Sequence, residues 1–122
     1  MNQFRYTILY VKNVPATISF YEKAFGFERI FISPDNQYGE LNTGSTTLSF
    51  ANLELAHSNL RNGFAESDLA GKPFGMEIGI TTENVDETLK QAIAAGATLL
   101  EEPKTKPWGQ IVAYVRFGRF PC

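Results

Sequence analysis

The sequence predicts an α+β fold in which one βαβββ module is used twice. Three observations predict it. The order strand, helix, strand, strand over Phe4–Asn52 restarts at Phe74 and runs to Arg116. Each helix opens on an Asn-Val pair, Asn13-Val14 and Asn84-Val85, and closes on a glycine, Gly26 and Gly96. Aligning those pairs also matches Thr17 with Thr88, Ile18 with Leu89 and Ala24 with Ala95. The repeat is thus weak in identity and strong in the order of its elements. At 122 residues, with 43% hydrophobic and 20% charged residues, the chain is expected to form one domain, 1–122. Its modules span about 4–52 and 74–122, with a connector at 53–73.

In the first module, Phe4–Val11 alternates and is rich in β-branched and aromatic residues, as a strand is. Asn13 is a candidate N-cap, and Pro15 sits in the first helical turn, where a missing N–H costs little. The helix runs to about Phe25, with Ile18, Tyr21 and Phe25 as its apolar stripe. Gly26 suits a left-handed C-terminal position. Phe27–Ile32 is a second strand and Pro34-Asp35-Asn36 a turn. Gln37–Thr43 and Thr46–Ala51 are the third and fourth strands, joined by a Gly44-Ser45 hairpin turn. The connector is mostly loop, with a helical turn near Leu53–Leu60, and its length marks it as a functional loop or a crossover.

In the second module, Met76–Thr81 is the opening strand. Asn84 with Glu87 has the spacing of a capping box, and Val85, Leu89, Ala92 and Ile93 form the helix stripe. Ala97–Glu101 is a strand, Pro103–Trp108 a loop and Ile111–Arg116 a strand. The fourth strand should begin near Arg119, but only Arg119-Phe120-Pro121-Cys122 remain, and proline does not belong inside a central strand. The last strand is therefore expected to be truncated.

Composition excludes several classes. A net charge of −2 carries no basic footprint, which argues against nucleic acid. No apolar run approaches the roughly 18 residues of a membrane helix, and the N-terminus lacks a signal-peptide layout, so a cytoplasmic protein is expected. A single cysteine, Cys122, removes internal disulfides and cysteine-rich zinc sites. No phosphate-binding glycine loop, nucleophile elbow or Cys/His pair is present.

ILYVKNVPATISFYEKAFGF, EIGITTENVDETLKQAIAAGA and KPWGQIVAYVR resemble the two module openings and the approach to the last hairpin in the vicinal oxygen chelate superfamily. That superfamily includes glyoxalase I, bleomycin- and fosfomycin-resistance proteins and extradiol dioxygenases. The resemblance implies two modules whose sheets form a curved surface around one cleft. It also implies metal-ligand positions on the first and fourth strands of each module. Here those positions fall on Tyr6, near Ser49, on Glu77 and in the truncated strand. One carboxylate does not supply the three imidazole or carboxylate ligands that Zn, Ni, Fe or Mn wants, so no metal and no other cofactor is expected. Glu40 is of uncertain face, and His57, the only histidine, reads as a loop-packing residue.

The leading expectation is a metal-independent protein that binds a drug-like or aromatic molecule in an apolar cleft. Tyr6, Tyr10, Ser49, Phe50, Glu77 and Trp108 are its candidate contacts, with Tyr114 a further one whose face alternation does not settle. Glu77 has two readings. It is a strand residue paired with Lys, Arg or a tyrosine hydroxyl, or it is a cleft carboxylate acting as general base. The alternative expectation is a glyoxalase-type lyase or isomerase using a divalent metal or Glu77. The third is a truncated remnant without activity.

The tail bears on that third reading. One choice among the degenerate codons for Gly118–Cys122, GGA CGG TTT CCT TGT, gives Asp-Gly-Phe-Leu when read one base later, which resembles the superfamily's usual ending. A frameshifted remnant is one expectation for these residues. The edge left bare by a missing strand leads to a further expectation, a homodimer that covers it.

Overall fold

The computed structural model describes residues 1–122. The chain divides into two compact units, Met1–Glu22 with Gly26–Ser67, and Lys23–Phe25 with Asp68–Cys122. The α+β class and the modular order are as expected. Three helices accompany two sheets, one of four strands and one of three.

In the first unit, β1 (Tyr6–Val11) leads into α1 (Val14–Phe25), followed by β2 (Glu28–Ile32), β3 (Tyr38–Asn42) and β4 (Thr47–Asn52). Asn13 is extended and its side chain accepts from the Ala16 N–H at 3.0 Å, capping α1. Gly26, at φ 72°, ends the helix by donating its N–H to the Glu22 carbonyl at 2.9 Å. The sheet order is β1-β4-β3-β2. β4 is the central joint, pairing parallel with β1 from Tyr6↔Thr47 to Val11↔Asn52 and antiparallel with β3 from Tyr38↔Ala51 to Asn42↔Thr47.

Alternation then gives the sheet two faces. Leu9, Val11, Leu41, Leu48 and Phe50 are buried, as are Val14, Ile18 and Tyr21 of α1, and together they make the unit's core. Tyr21 stacks on Phe50 with ring centroids 5.3 Å apart. Gly39 suits this packing: a Cβ there would run into the tip of Ile18 and crowd Val14 and the Phe31 carbonyl, each at 3.2 Å. The other face carries Tyr6, Ile8, Tyr10, Tyr38, Glu40, Ser49 and Ala51.

A short helix, α2 (Leu53–Asn59), follows where one helical turn was expected. Asn52 caps it, accepting from the Leu55 N–H at 2.9 Å.

The second unit departs from expectation at both ends. α3 (Val85–Ala94) is capped as α1 is, with the Asn84 side chain accepting from the Glu87 N–H at 3.0 Å. β5 (Thr98–Thr105) is longer than predicted. It runs through Pro103, which the sequence reading placed in a loop. Its pairing with β6 (Ile111–Phe117) shifts register twice, between Leu99 and Glu101 and between Glu101 and Lys104. Such an irregularity is where a sheet tolerates proline.

Met76–Thr81, predicted as the opening strand, has no regular strand structure. β7 is two residues long, Phe120–Pro121. It returns along β6, and Cys122 exchanges two backbone hydrogen bonds with Val115, each 2.8 Å. Toward Met76–Thr81 it offers only carbonyls. Arg119 accepts from the Phe74 N–H and Pro121 accepts from the Ile78 N–H, both at 2.8 Å. Proline has no N–H to return to this ladder. Phe74 and Ile78 thus each donate one bond to this hairpin, too few for a regular ladder.

No helix is long and apolar enough to cross a membrane.

Candidate functional site

In the first unit the sheet face turned away from α1 holds a small polar group within an aromatic surround. β3 and β4 place Glu40 directly across from Ser49, and β1 places Ile8 on Ser49's other side. The Tyr38 hydroxyl donates to the Glu40 carboxylate at 2.7 Å. The Ser49 side chain is fully buried, and its hydroxyl meets no partner with hydrogen-bond geometry. It nevertheless lies close enough to Tyr38 to affect its ionisation. Burial first raises the Tyr38 phenol above its ordinary range, and the Ser49 hydroxyl pulls the other way. Glu40 raises it again by hydrogen bond and by charge, and Tyr6 adds slightly. Ser49, Tyr38 and Glu40 thus form a short polar row whose outer end is a carboxylate.

Around this row the face is apolar and open. Tyr6 is 47% exposed, and Ile8 and Phe31 are exposed as well. Phe31 tilts against Tyr38 with centroids 5.9 Å apart. At one end Tyr10 meets the edge of Phe64, 4.8 Å between centroids. The connector therefore reaches the sheet through Phe64. His57 stacks on Phe64 at 4.3 Å, with its Nε2 3.5 Å from Glu66, which is the loop-packing role expected of it.

The predicted contacts are distributed as follows. Tyr6, Tyr10 and Ser49 share this face. Phe50 does not: it points into the core beneath α1 and is fully buried, so it is a packing residue and not a cleft wall. Trp108 stands on the loop before β6, 71% exposed, with its indole N–H donating to Gln110 at 2.9 Å. Glu77 belongs to the second unit and is exposed, where the general-base reading required burial among aromatics. Its carboxylate sits by the Tyr114 hydroxyl and raises that phenol's pKa, by hydrogen bonding first and by charge second. This is the tyrosine pairing of its first reading.

Tyr38 was missed by the sequence reading and Glu40 was left unplaced. The signal for both was the Gly44-Ser45 turn. A two-residue turn there sets Thr43 opposite Thr46, and counting back along both strands sets Glu40 opposite Ser49.

No three His, Cys, Asp or Glu side chains lie together in the chain. The positions that the resemblance marks for metal ligands hold a phenol and a buried hydroxyl in the first unit and a single carboxylate in the second, and in neither unit do these residues fit a divalent cation.

The second unit contains a cavity of about 420 Å³. It is bounded by Glu77–Thr82, by Val85, Thr88, Leu89 and Ala92 of α3, by Gln110–Val115 and by Cys122.

The profile of the Glyoxalase/Bleomycin resistance protein/Dioxygenase superfamily matches residues 3–118. The chain belongs to this superfamily. Solved structures agree. A glyoxalase-related enzyme from Fulvimarina pelagi superposes with a TM-score of 0.77 at 19% identity, over 99% of this chain and 85% of that one. A glyoxalase/bleomycin resistance protein/dioxygenase family enzyme from Burkholderia phytofirmans PsJN gives 0.71 at 26% identity, over 90% and 86%. Lactoylglutathione lyase from Agrobacterium tumefaciens gives 0.66 at 20%, over 99% and 90%, a likeness of fold. No protein of curated function matches the chain in sequence.

Proposed function

We propose that this superfamily member binds a flat, largely apolar organic molecule carrying a hydrogen-bond donor, on the open face of the first unit and without a divalent metal. The observation that carries this reading is the row Ser49–Tyr38–Glu40. It sets one carboxylate, already fixed by a phenol 2.7 Å away, within a face of exposed aromatic and aliphatic side chains. Such a site recognises by shape and by one charged acceptor. Tyr6 and Phe31 offer ring faces to a planar ligand, and Glu40 accepts from its amine or hydroxyl. Tyr38 holds the carboxylate in place, and Ser49 sits behind it where water does not compete. The ligand positions left by the family pattern support binding without metal, since a binder has no need of imidazoles there.

The test is a thermal-shift screen of aromatic amines and phenols, followed by calorimetry on hits. A ligand is expected whose affinity falls about tenfold to a hundredfold in Glu40→Gln, the usual worth of a hydrogen bond to a charged group, and falls less in Tyr38→Phe. Hits indifferent to Glu40→Gln overturn the site. Near-stoichiometric Zn, Ni, Mn or Fe in gently purified protein overturns the metal-free reading.

A further inference from the structure

The open face of the first unit has one closed end. β1, β4 and β3 set its side chains in rungs across the sheet. Tyr10, Ala51 and Tyr38 form one rung, Ile8, Ser49 and Glu40 the next, and Tyr6, Thr47 and Asn42 the third. Glu40 therefore stands on the middle rung, with an aromatic rung on one side of it and a more polar one on the other.

The two outer rungs end differently. At the third, Tyr6 and Asn42 are exposed and Thr47 is half-buried, so this end opens to solvent. At the first, Ala51 is buried and the Phe64 ring meets Tyr10 edge-on, 4.8 Å between centroids. Phe64 is held by a second ring as well. His57, on α2, stacks on it with centroids 4.3 Å apart, and the His57 Nε2 lies 3.5 Å from the Glu66 carboxylate, two residues beyond Phe64. α2 is itself tied to the sheet, because the residue that caps it, Asn52, is the last of β4. Phe64 is thus fixed by Tyr10 from the sheet and by His57 from a helix anchored on that sheet.

We propose that Phe64 determines specificity in the binding site assigned above, a role that rests on that assignment. It is the end wall that limits how far a ligand extends from Glu40 toward Tyr10, and the opposite end sets no limit. Glu40 and Tyr10 lie two strands and two residues apart, about 12 Å between their Cα atoms at the usual sheet spacings. That span takes a ring and a short chain. A longer chain meets an aromatic side chain that cannot swing aside without breaking its contacts with Tyr10 and His57, and such a clash discriminates between ligands. The ligand is therefore an aromatic amine or phenol that is short and apolar on the side away from its donor. On the donor side it is free to carry an extension.

Two isomeric series test this by calorimetry on the intact protein. Para-alkylanilines lengthen the end away from the amine, and N-alkylanilines lengthen the amine end and keep one N–H. Both run from methyl to hexyl. In the para series affinity is expected to rise with chain length and then to fall by about tenfold past a limiting length, the cost of overfilling a packed site. The N series should show no such fall. Phe64→Ala should move the para limit to longer chains and Phe64→Trp to shorter ones, both leaving the N series unchanged. A loss of folding would not shift the limit in opposite directions. A para limit that is absent, or the same in all three proteins, overturns the wall, as does a limit in the N series. Where the anilines still weaken in Glu40→Gln, the wall alone has failed. If neither series binds the wild type, the binding site fails and the wall with it.

Discussion

The two units carry the same plan to different degrees of completion. In the first, the opening strand β1 has a six-residue parallel partner in β4, and the helix above them is sealed: Val14, Ile18 and Tyr21 are all buried. In the second, the same opening segment meets a two-residue stub ending in Pro121-Cys122. It remains irregular, and of the helix residues corresponding to those three only Ala92 is buried. The helix N-caps are alike in both. The difference teaches that an N-cap is settled by a few neighbouring residues, while regular strand structure needs a ladder of paired residues alongside it.

The comparison is broken or sharpened most directly by truncating matched residues. Phe50→Ala removes a fully buried ring under α1 and is expected to cost about 3–5 kcal/mol. Leu89→Ala, in the uncovered helix, should cost well under half of that. Urea unfolding at equilibrium reads both, and equal losses would erase the distinction between sealed and open cores.

A smaller effect is expected at Gly39. Alanine there must displace Ile18 and Val14, costing about 1–3 kcal/mol as overpacking does. The midpoint of the same transition reports it, and an unchanged midpoint would mean that α1 can move away from the sheet.

The caps give a weaker test, aimed at what the units share. Asn13→Ala and Asn84→Ala should each cost about 1 kcal/mol. They should do so equally, because each side chain holds one N–H at 3.0 Å whatever lies beneath its helix. A large inequality would show that capping depends on the sheet after all.

The smallest effect concerns the stub. Burial pushes the Cys122 thiol from an ordinary 9.0 up to about 12. The neutral form is favoured in the folded state, so its contribution to stability is complete below pH 9 and is lost as pH rises from 9 toward 12. Alkylation by iodoacetamide at pH 8.5 should accordingly be much slower in the folded protein than in urea. Equal rates would mean that β7 does not stay docked on β6.

Most of the first unit was legible in sequence because its signals are short-range. Asn13, Gly26 and the Gly44-Ser45 turn each constrain only a few neighbouring residues. The turn even contains the pairing of Glu40 with Ser49, since the register of both strands counts back from it. Phe50 was misplaced for a different reason. Alternation separates Ser49 from Phe50 but does not say which of the two faces the helix covers. Met76–Thr81 has a sound strand pattern, but a strand also needs pairing, and here the Ile78 N–H donates to Pro121 without a regular ladder forming. No local reading of the segment contains that pairing.

The exposed indole of Trp108 has a practical consequence. It is the only tryptophan, it stands 71% in solvent, and its N–H is held by Gln110. Its emission in the native state should already lie near that of indole in water, with little red shift left for denaturant to produce. Intrinsic tryptophan fluorescence will therefore be nearly blind to unfolding of the first unit. The stacked pair Tyr21 and Phe50, seen in the near-ultraviolet dichroism of tyrosine, is the native reporter of that core.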